Sequence, residues 1–471
     1  MLNRDKSTKP KKHMSKLSMI TSLVVLVIAG ASVFALNRST IKIDLLGDKV
    51  VLSPGTVRAN ISINFGNQVS SNKASFAKRF FSEDASWNKP VSVFGESAYL
   101  DKYAEILWDY GGGPEFRVDG KSRKTGGGFF PSFKNFSVPI YDIKTATTTA
   151  RLFQATWAQN QLTLSDQLKI GDSIPWNPEW RPGGYSDLVN QTDRIMAIVD
   201  YESGLAYELW RVEEPKLGCF DFFGPNGQAG YDLNDQNHLC IAGVSKYTNL
   251  FTAKEGSTIQ GRGMGINKLA LVTRADEVAS GKIEHAMALT IANPMFGPTI
   301  ASSYREAGAG STKGFFLKPA TRLEHSNPAT LGLGDVTTAP IDDVERSKTN
   351  PSGMRFALKI TDAEIENWLK KRDSDAQKLG DKSWSYSGAK SNTARIFAVA
   401  WRDYGAVVAE TGGNGIGMEM DGIQGPAKAT WEKLGIVDET VPGQTEDHYP
   451  VNDLFDGLIT RERLYVVNPP E

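Results

Sequence analysis

Histidine and cysteine are the scarce chemistries here: the chain has five and two of them, respectively, among 471 residues. With so few ligands, and no HExxH or CxxC pair, a zinc centre is not expected. No Walker phosphate loop is present, so P-loop nucleotide chemistry is excluded. "GRGMGI" (261–266) has glycine spacing near that of a dinucleotide fingerprint, but the fingerprint needs a strand before it and a helix opening on its glycines. "KEGSTIQ" before it makes a poor buried strand and "NKLALV" after it reads as strand-like, so the segment is expected to be a glycine loop and no cofactor is expected. Beyond the first sixteen residues there is no long basic stripe, which argues against nucleic acid as a partner. Internal repeats and low-complexity tracts are also missing.

What is present begins with charge asymmetry. Arg4, Lys6, Lys9, Lys11, Lys12 and Lys16 stand against Asp5 in a basic head (1–16), while the whole chain is at net −1, so the body is acidic. "LSMITSLVVLVIAGASVFAL" (17–36) follows without a charge and is long enough to span a bilayer as a helix. The lysines before it predict a cytoplasmic N-terminus and a body outside the cytoplasm, with the membrane as partner through 17–36. Val33-Phe34-Ala35 also fits a cleavage site, so a secreted product of a signal peptide competes with a single-pass cell-membrane anchor. In an oxidising compartment, Cys219 and Cys240 read as one disulfide closing the glycine- and asparagine-rich loop between them. That would contribute on the order of 3 kcal/mol through the unfolded state.

The body reads as strands joined by turns. An N-terminal β segment (37–110) opens with "IKIDLLGDKVVLSP", and a glycine-rich loop at 110–130 separates it from a main domain (130–471). "RIMAIVD" and "LAYELWRV" form a hairpin candidate placing Tyr207 and Leu209 on one face and Glu208 and Trp210 on the other. "TRADEVASG" predicts a two-turn helix capped from Thr273 to Asp276, and "KIEHAMALTI" a strand. Two longer helices follow, one from Thr361 with Glu364 at capping-box spacing to Gly380, the other in "NTARIFAVAWRDYG". "YGAVVAETGGNGIGMEMDG" (404–422) reads as a hairpin on a Gly-Gly-Asn-Gly turn. Strands outnumber helices and lack regular helical crossovers, which points to a mainly β fold with some α. The expected architecture is a large β-sandwich of jelly-roll type with a few packed helices, preceded by one N-terminal transmembrane or signal helix.

Candidate site residues come from three places. His285 shares a face with Ile283 and Met287, the pattern of a core histidine or of a buried general base. Trp176 and Trp180 in "IPWNPEWRPGGYSD", with Trp210, could stack on a sugar ring or plug the end of a core. In 404–422, Glu419 and Asp421 alternate onto one face, with Glu410 on the preceding strand and Tyr404 at the close of the helix before it. Acids on the wet face of an antiparallel strand would explain that alternation without chemistry. "EMD" resembles part of the E-x-D-x-x-E signature of jelly-roll glucanases, but Gln424 stands where the third acid belongs.

"YESGLAYELWR", "GRGMGINKLALVTRADEVASGKIEHAMAL", "KPATR" and "ARIFAVAWRDYGAVVAETGG" together resemble a group of exported bacterial proteins of β-sandwich character, over about 175–422. The resemblance implies export and a sandwich fold, and no activity; in that group the acid before the Gly-Gly is more often Asp than the Glu410 found here. The resulting expectation is a membrane-tethered surface protein whose sandwich binds glycan. Trp176, Trp180 and Trp210 would stack, and Glu410, Glu419 and Asp421 would accept hydrogen bonds. A polysaccharide hydrolase or lyase on the same fold, with His285, Tyr404 or Glu419 as catalytic groups, is the alternative, and a purely structural surface protein the third.

Overall fold

The computed structural model describes residues 41–46, 49–54, 78–111, 116–118, 121–123, 129–134, 136–154, 168, 171–184, 193–212, 231–232, 234–256, 262–291, 294–295, 315–323, 349–412, 416–437 and 454–471. The chain divides into two compact units, Met1–Ser70 and Ser71–Glu471. In the first, β1 (Ile41–Leu46) and β2 (Lys49–Pro54) pair antiparallel, as their alternating sequence predicts. The 17–36 segment lies outside the described residues. Among the described residues no helix is long and apolar enough to cross a membrane.

In the second unit two 3-10 turns, Ser86–Asn88 and Val91–Val93, precede α1 (Lys102–Gly111), the short ribbon β3 (Phe116–Val118) and β4 (Lys121–Arg123), then β5 (Phe129–Ser132) and β6 (Ile140–Asp142). Next come β7 (Thr148–Gln154), β8 (Ser173–Trp176), β9 (Met196–Val199), β10 (Ala206–Trp210), β11 (His238–Ile241) and β12 (Gly243–Tyr247). Two short helices, α2 (Lys268–Leu271) and α3 (Ala275–Ala279), lead to β13 (Met287–Ile291) and β14 (Arg355–Leu358). The chain closes with α4 (Asp362–Leu379), α5 (Ala389–Asp403), β15 (Ala406–Thr411), β16 (Ile416–Glu419), α6 (Lys428–Lys433) and β17 (Leu464–Val466).

Three sheets organise this unit, in strand orders β12-β10-β9-β6, β11-β7-β8 and β17-β14-β15-β13-β16-β5. The expected jelly roll is not what forms. A jelly roll is antiparallel throughout, whereas β13 with β15, β16 with β5, β6 with β9 and β11 with β7 all run parallel. Parallel neighbours need long crossovers, and the one from β13 to β15 carries α4 and α5, so the fold is mixed α/β. The β-sandwich implied by the family resemblance is corrected by the same pairing.

Side-chain alternation explains the layering. On β9, Met196 and Ile198 join a core with Leu152, Ile174, Tyr207 and Leu239, between the three- and four-stranded sheets. Ala197 and Val199 face the opposite way, into the larger core that also holds Met287, Leu289, Val408 and Met418 of the six-stranded sheet. A strand buried on both faces reads as a continuous apolar run, which is what "MAIV" is. The hairpin of β9 and β10 forms as predicted. The long helices also match their signals: Thr361 caps α4 with Glu364 returning to its N–H, Gly380 closes it at φ 71°, and α5 buries Phe397 and Trp401.

The 404–422 hairpin does not form. β13 lies between β15 and β16, pairing parallel with the first and antiparallel with the second. Glycines make this insertion feasible: a Cβ on Gly417 would stand 2.6 Å, and one on Gly412 3.0 Å, from Thr290 Oγ1 of β13. The stretch after "GRGMGI" also differs from its strand-like reading, since Lys268–Leu271 is a turn of helix.

Candidate functional site

The segment 262–285 contacts both the four- and the six-stranded sheet and brings Arg262, Lys268, Arg274, Glu277 and His285 into the interior. Glu410 and Gly417 flank Thr290 on either side, so Glu410 and Glu419 project from the same face of the six-stranded sheet. There they meet Arg262 and Lys268. Arg262 reaches Glu410 at 3.3 Å and also contacts Glu419. Lys268 contacts Glu410 and lies 3.7 Å from Glu419. All four side chains are more than nine-tenths buried. Burial, helped by the charge of Glu419, pushes the Glu410 carboxyl up to about 8. Burial also works against Glu419, but Arg262 and Lys268 outweigh it and hold that carboxyl below its ordinary value. One acid of the pair therefore tends to keep a proton and the other a charge. With a cation against each, the group closes as an ion network.

Asp421 is two residues from Glu419 and on the same side, yet it joins different partners. Its Oδ1 accepts the Ile140 N–H at 3.2 Å, and burial, reinforced by the charge of Asp276, raises its carboxyl well above the ordinary value. The wet-face reading of these acids is overturned: Glu410, Glu419 and Asp421 are all buried.

The tryptophans are also interior. Trp180 stacks on Tyr141 with ring centres 5.0 Å apart, Trp176 meets Trp180 edge-on at 5.6 Å, and both sit in the smaller core. Neither presents a free ring to a sugar. Trp210 is half-buried against the larger core, with Arg211 5.4 Å from its ring centre. Cys240 is fully buried on β11, and Cys219 lies outside the described residues.

His285 is the expected site residue that borders a cavity. About 290 Å³ of space opens between Phe80, Asn88, Leu269, Arg274, Glu277 and His285, with Arg79, Lys282 and Glu284 among its more exposed lining residues. The His285 Nε2 lies 3.0 Å from Glu277 Oε1 and Nδ1 2.9 Å from the Ala286 carbonyl. Glu277 also caps α3, accepting the Arg274 N–H at 2.6 Å. This places the cap one residue later than the Thr273–Asp276 spacing predicts. Burial raises the Glu277 carboxyl, but His285 and Arg274 outweigh it and leave it below its ordinary value. Arg274 is held by Asp276 at 3.3 Å and stacks over the Phe80 ring at 4.0 Å. Tyr404 is half-buried at the end of α5. Burial first, then the charge of Glu284, raises its phenol pKa, which makes it a poor base.

Asn88 is the wall residue that sequence reading missed. Its Nδ2 donates to the Phe80 and Ser82 carbonyls at 2.9 and 3.0 Å, which fixes the orientation of the amide. The Oδ1 then makes no hydrogen bond within the protein, although the residue is only 4% exposed. No signal in "SWNKP" distinguishes this asparagine from a turn residue. The partners of Glu410 and Glu419 were similarly hidden in "GRGMGINK", where Arg262 and Lys268 look like surface charges.

The structure thus gathers Glu410 with Glu419, and His285 with Glu277 and Asn88, but does not unite the two groups with the tryptophans. Comparison with protein-family models, with curated proteins and with solved structures finds no match.

Proposed function

We propose that this chain is an exported surface protein, held at the membrane by residues 17–36, whose body binds a small saccharide unit in the cavity beside His285. The observation that carries the reading is the cavity of about 290 Å³ itself, which sets the His285–Glu277 pair and Arg274 beside apolar wall surface. Carboxylate, imidazole and guanidinium groups on one wall suit a ligand that offers several hydroxyl groups, as a saccharide does. The rest of the wall suits the same ligand. Phe80, Leu269, Ala270 and Val272 provide apolar surface for the C–H face of a ring, while Arg79, Lys282 and Ser280 provide polar groups for its oxygens. The site moves from the tryptophans, which are in the core, to this cavity.

The test is calorimetric titration of the full chain with a panel of mono- and oligosaccharides, alongside Ala270→Leu, which fills the cavity from a buried wall position. Saturable binding lost in Ala270→Leu supports the reading. Equal binding by both proteins, or none by either, overturns it. The His285–Glu277 pair favours a second reading, acid–base turnover of the same ligand. New reducing ends released by the native chain and not by His285→Gln would put that reading first.

A further inference from the structure

Arg79 and Lys282 share a single carboxylate in the lining of the His285 cavity. Glu284 Oε1 lies 2.9 Å from Lys282 Nζ, and Glu284 Oε2 lies 3.6 Å from the Arg79 guanidinium. The second contact is longer than a hydrogen bond, and the Arg79 side chain makes no other within the protein. That side chain is 32% exposed and Lys282 more so, which puts the donors of both at the rim.

Deeper in the wall the charges are matched. Arg274 lies 3.3 Å from Asp276 and 3.7 Å from Glu277, it donates to the Lys78 carbonyl at 2.9 Å, and Glu277 also holds His285. The surplus positive charge of the cavity therefore sits at its rim, where two cations face one acid. Both are rooted in fixed backbone: next to Arg79, the Phe81 N–H donates to the Leu250 carbonyl at 2.8 Å, and the Lys282 N–H donates to the Glu277 carbonyl at 3.3 Å.

A guanidinium presents parallel N–H groups that match the two oxygens of a carboxylate, and an ammonium adds a point charge. A neutral sugar leaves the surplus charge uncompensated. A phosphate dianion exceeds a surplus of one and meets the Glu284 carboxylate.

We propose that the saccharide unit bound beside His285 is a hexuronic acid, with its carboxylate held at the rim by Arg79 and Lys282 and its ring inside the cavity. This rests on the saccharide reading of the cavity and names the class of sugar.

Calorimetric titration of the full chain with the methyl hexuronides of glucose, galactose and mannose, each against the matching methyl hexoside, tests it. Each pair differs only by carboxylate in place of hydroxymethyl. At least one hexuronide should bind about tenfold more tightly than its hexoside at low salt, and high salt should shrink that ratio. Arg79→Gln should lower the ratio about fivefold and Lys282→Gln about twofold, the more exposed charge being worth less. Hexosides bound as tightly as every hexuronide, or a ratio unchanged in Arg79→Gln, overturn the acid preference and leave the saccharide reading standing. A hexose 6-phosphate bound more tightly than any hexuronide does the same. Binding of neither class of sugar overturns both readings.

Discussion

Glu410 and Glu419 come from strands separated by β13, and Arg262 and Lys268 each contact both carboxylates across it. Sequence proximity made them look like the two arms of one hairpin. The third strand between them makes them instead the two acid corners of an interior network.

The corners should respond unequally to neutralisation. Glu410 is driven toward its protonated form, so Glu410→Gln is expected to cost under about 1.5 kcal/mol at neutral pH. Glu419 stays ionised against Arg262, and Glu419→Gln should cost about 3–5 kcal/mol by leaving a buried cation short of charge. Denaturant midpoints of the two variants give the comparison, and equal losses would show that the proton is not partitioned this way.

Asp276 gives a pH dependence of definite sign. Its folded value is raised to about 6 from 3.8, chiefly by burial. The folded state then binds more protons between those values, so this contribution is complete below the unfolded pKa and is lost as pH rises through about 6. Asp276→Asn should therefore become more stable relative to the native chain on going from pH 4 to pH 7, by at most about 3 kcal/mol. Urea titrations at the two pH values measure it.

Glu277 has the opposite sign. Its depressed carboxyl contributes stability above the unfolded pKa and loses it as pH falls through the lower folded value. His285→Leu removes a favourable partner and leaves burial in place, so the acid unfolding midpoint should move to higher pH. An unmoved midpoint would mean that the pair contributes nothing.

Trp176→Ala and Trp180→Ala are expected to act on stability, each costing about 3–5 kcal/mol as buried aromatic truncations. In the cavity reading, saccharide affinity of the still-folded fraction is unchanged. Loss of affinity at native stability would restore them as binding residues.

Gly417→Ala should destabilise by about 1–3 kcal/mol, since its new Cβ falls 2.6 Å from Thr290 Oγ1. Combining it with Thr290→Ala should recover part of that loss in thermal unfolding, because the clash is with that hydroxyl. An additive pair would place the strain elsewhere.

Much local structure was legible from residue types. The Thr361 cap, the Gly380 stop, the β9–β10 hairpin and the stripe of α5 all rest on interactions within a few residues of one another. Strand order was not legible, because the partner of β15 is β13, more than a hundred residues earlier, and no turn specifies it. The inference of a sandwich followed from counting strands and missed that α4 and α5 serve as a crossover. His285 could be singled out by its rarity, but Asn88 could not, because an unpaired oxygen is a property of surroundings.

Sequence by itself determined the charge-free segment at 17–36, the capped helices, and that Glu419 and Asp421 leave one side of their strand, since alternation is a property of the backbone. Only the tertiary structure decided that this side is interior, that Arg262 and Lys268 meet one acid while the Ile140 amide meets the other, and that His285 borders a cavity. Burial and the choice of partner depend on what packs above a strand, and here that layer is supplied by segments more than a hundred residues away along the chain.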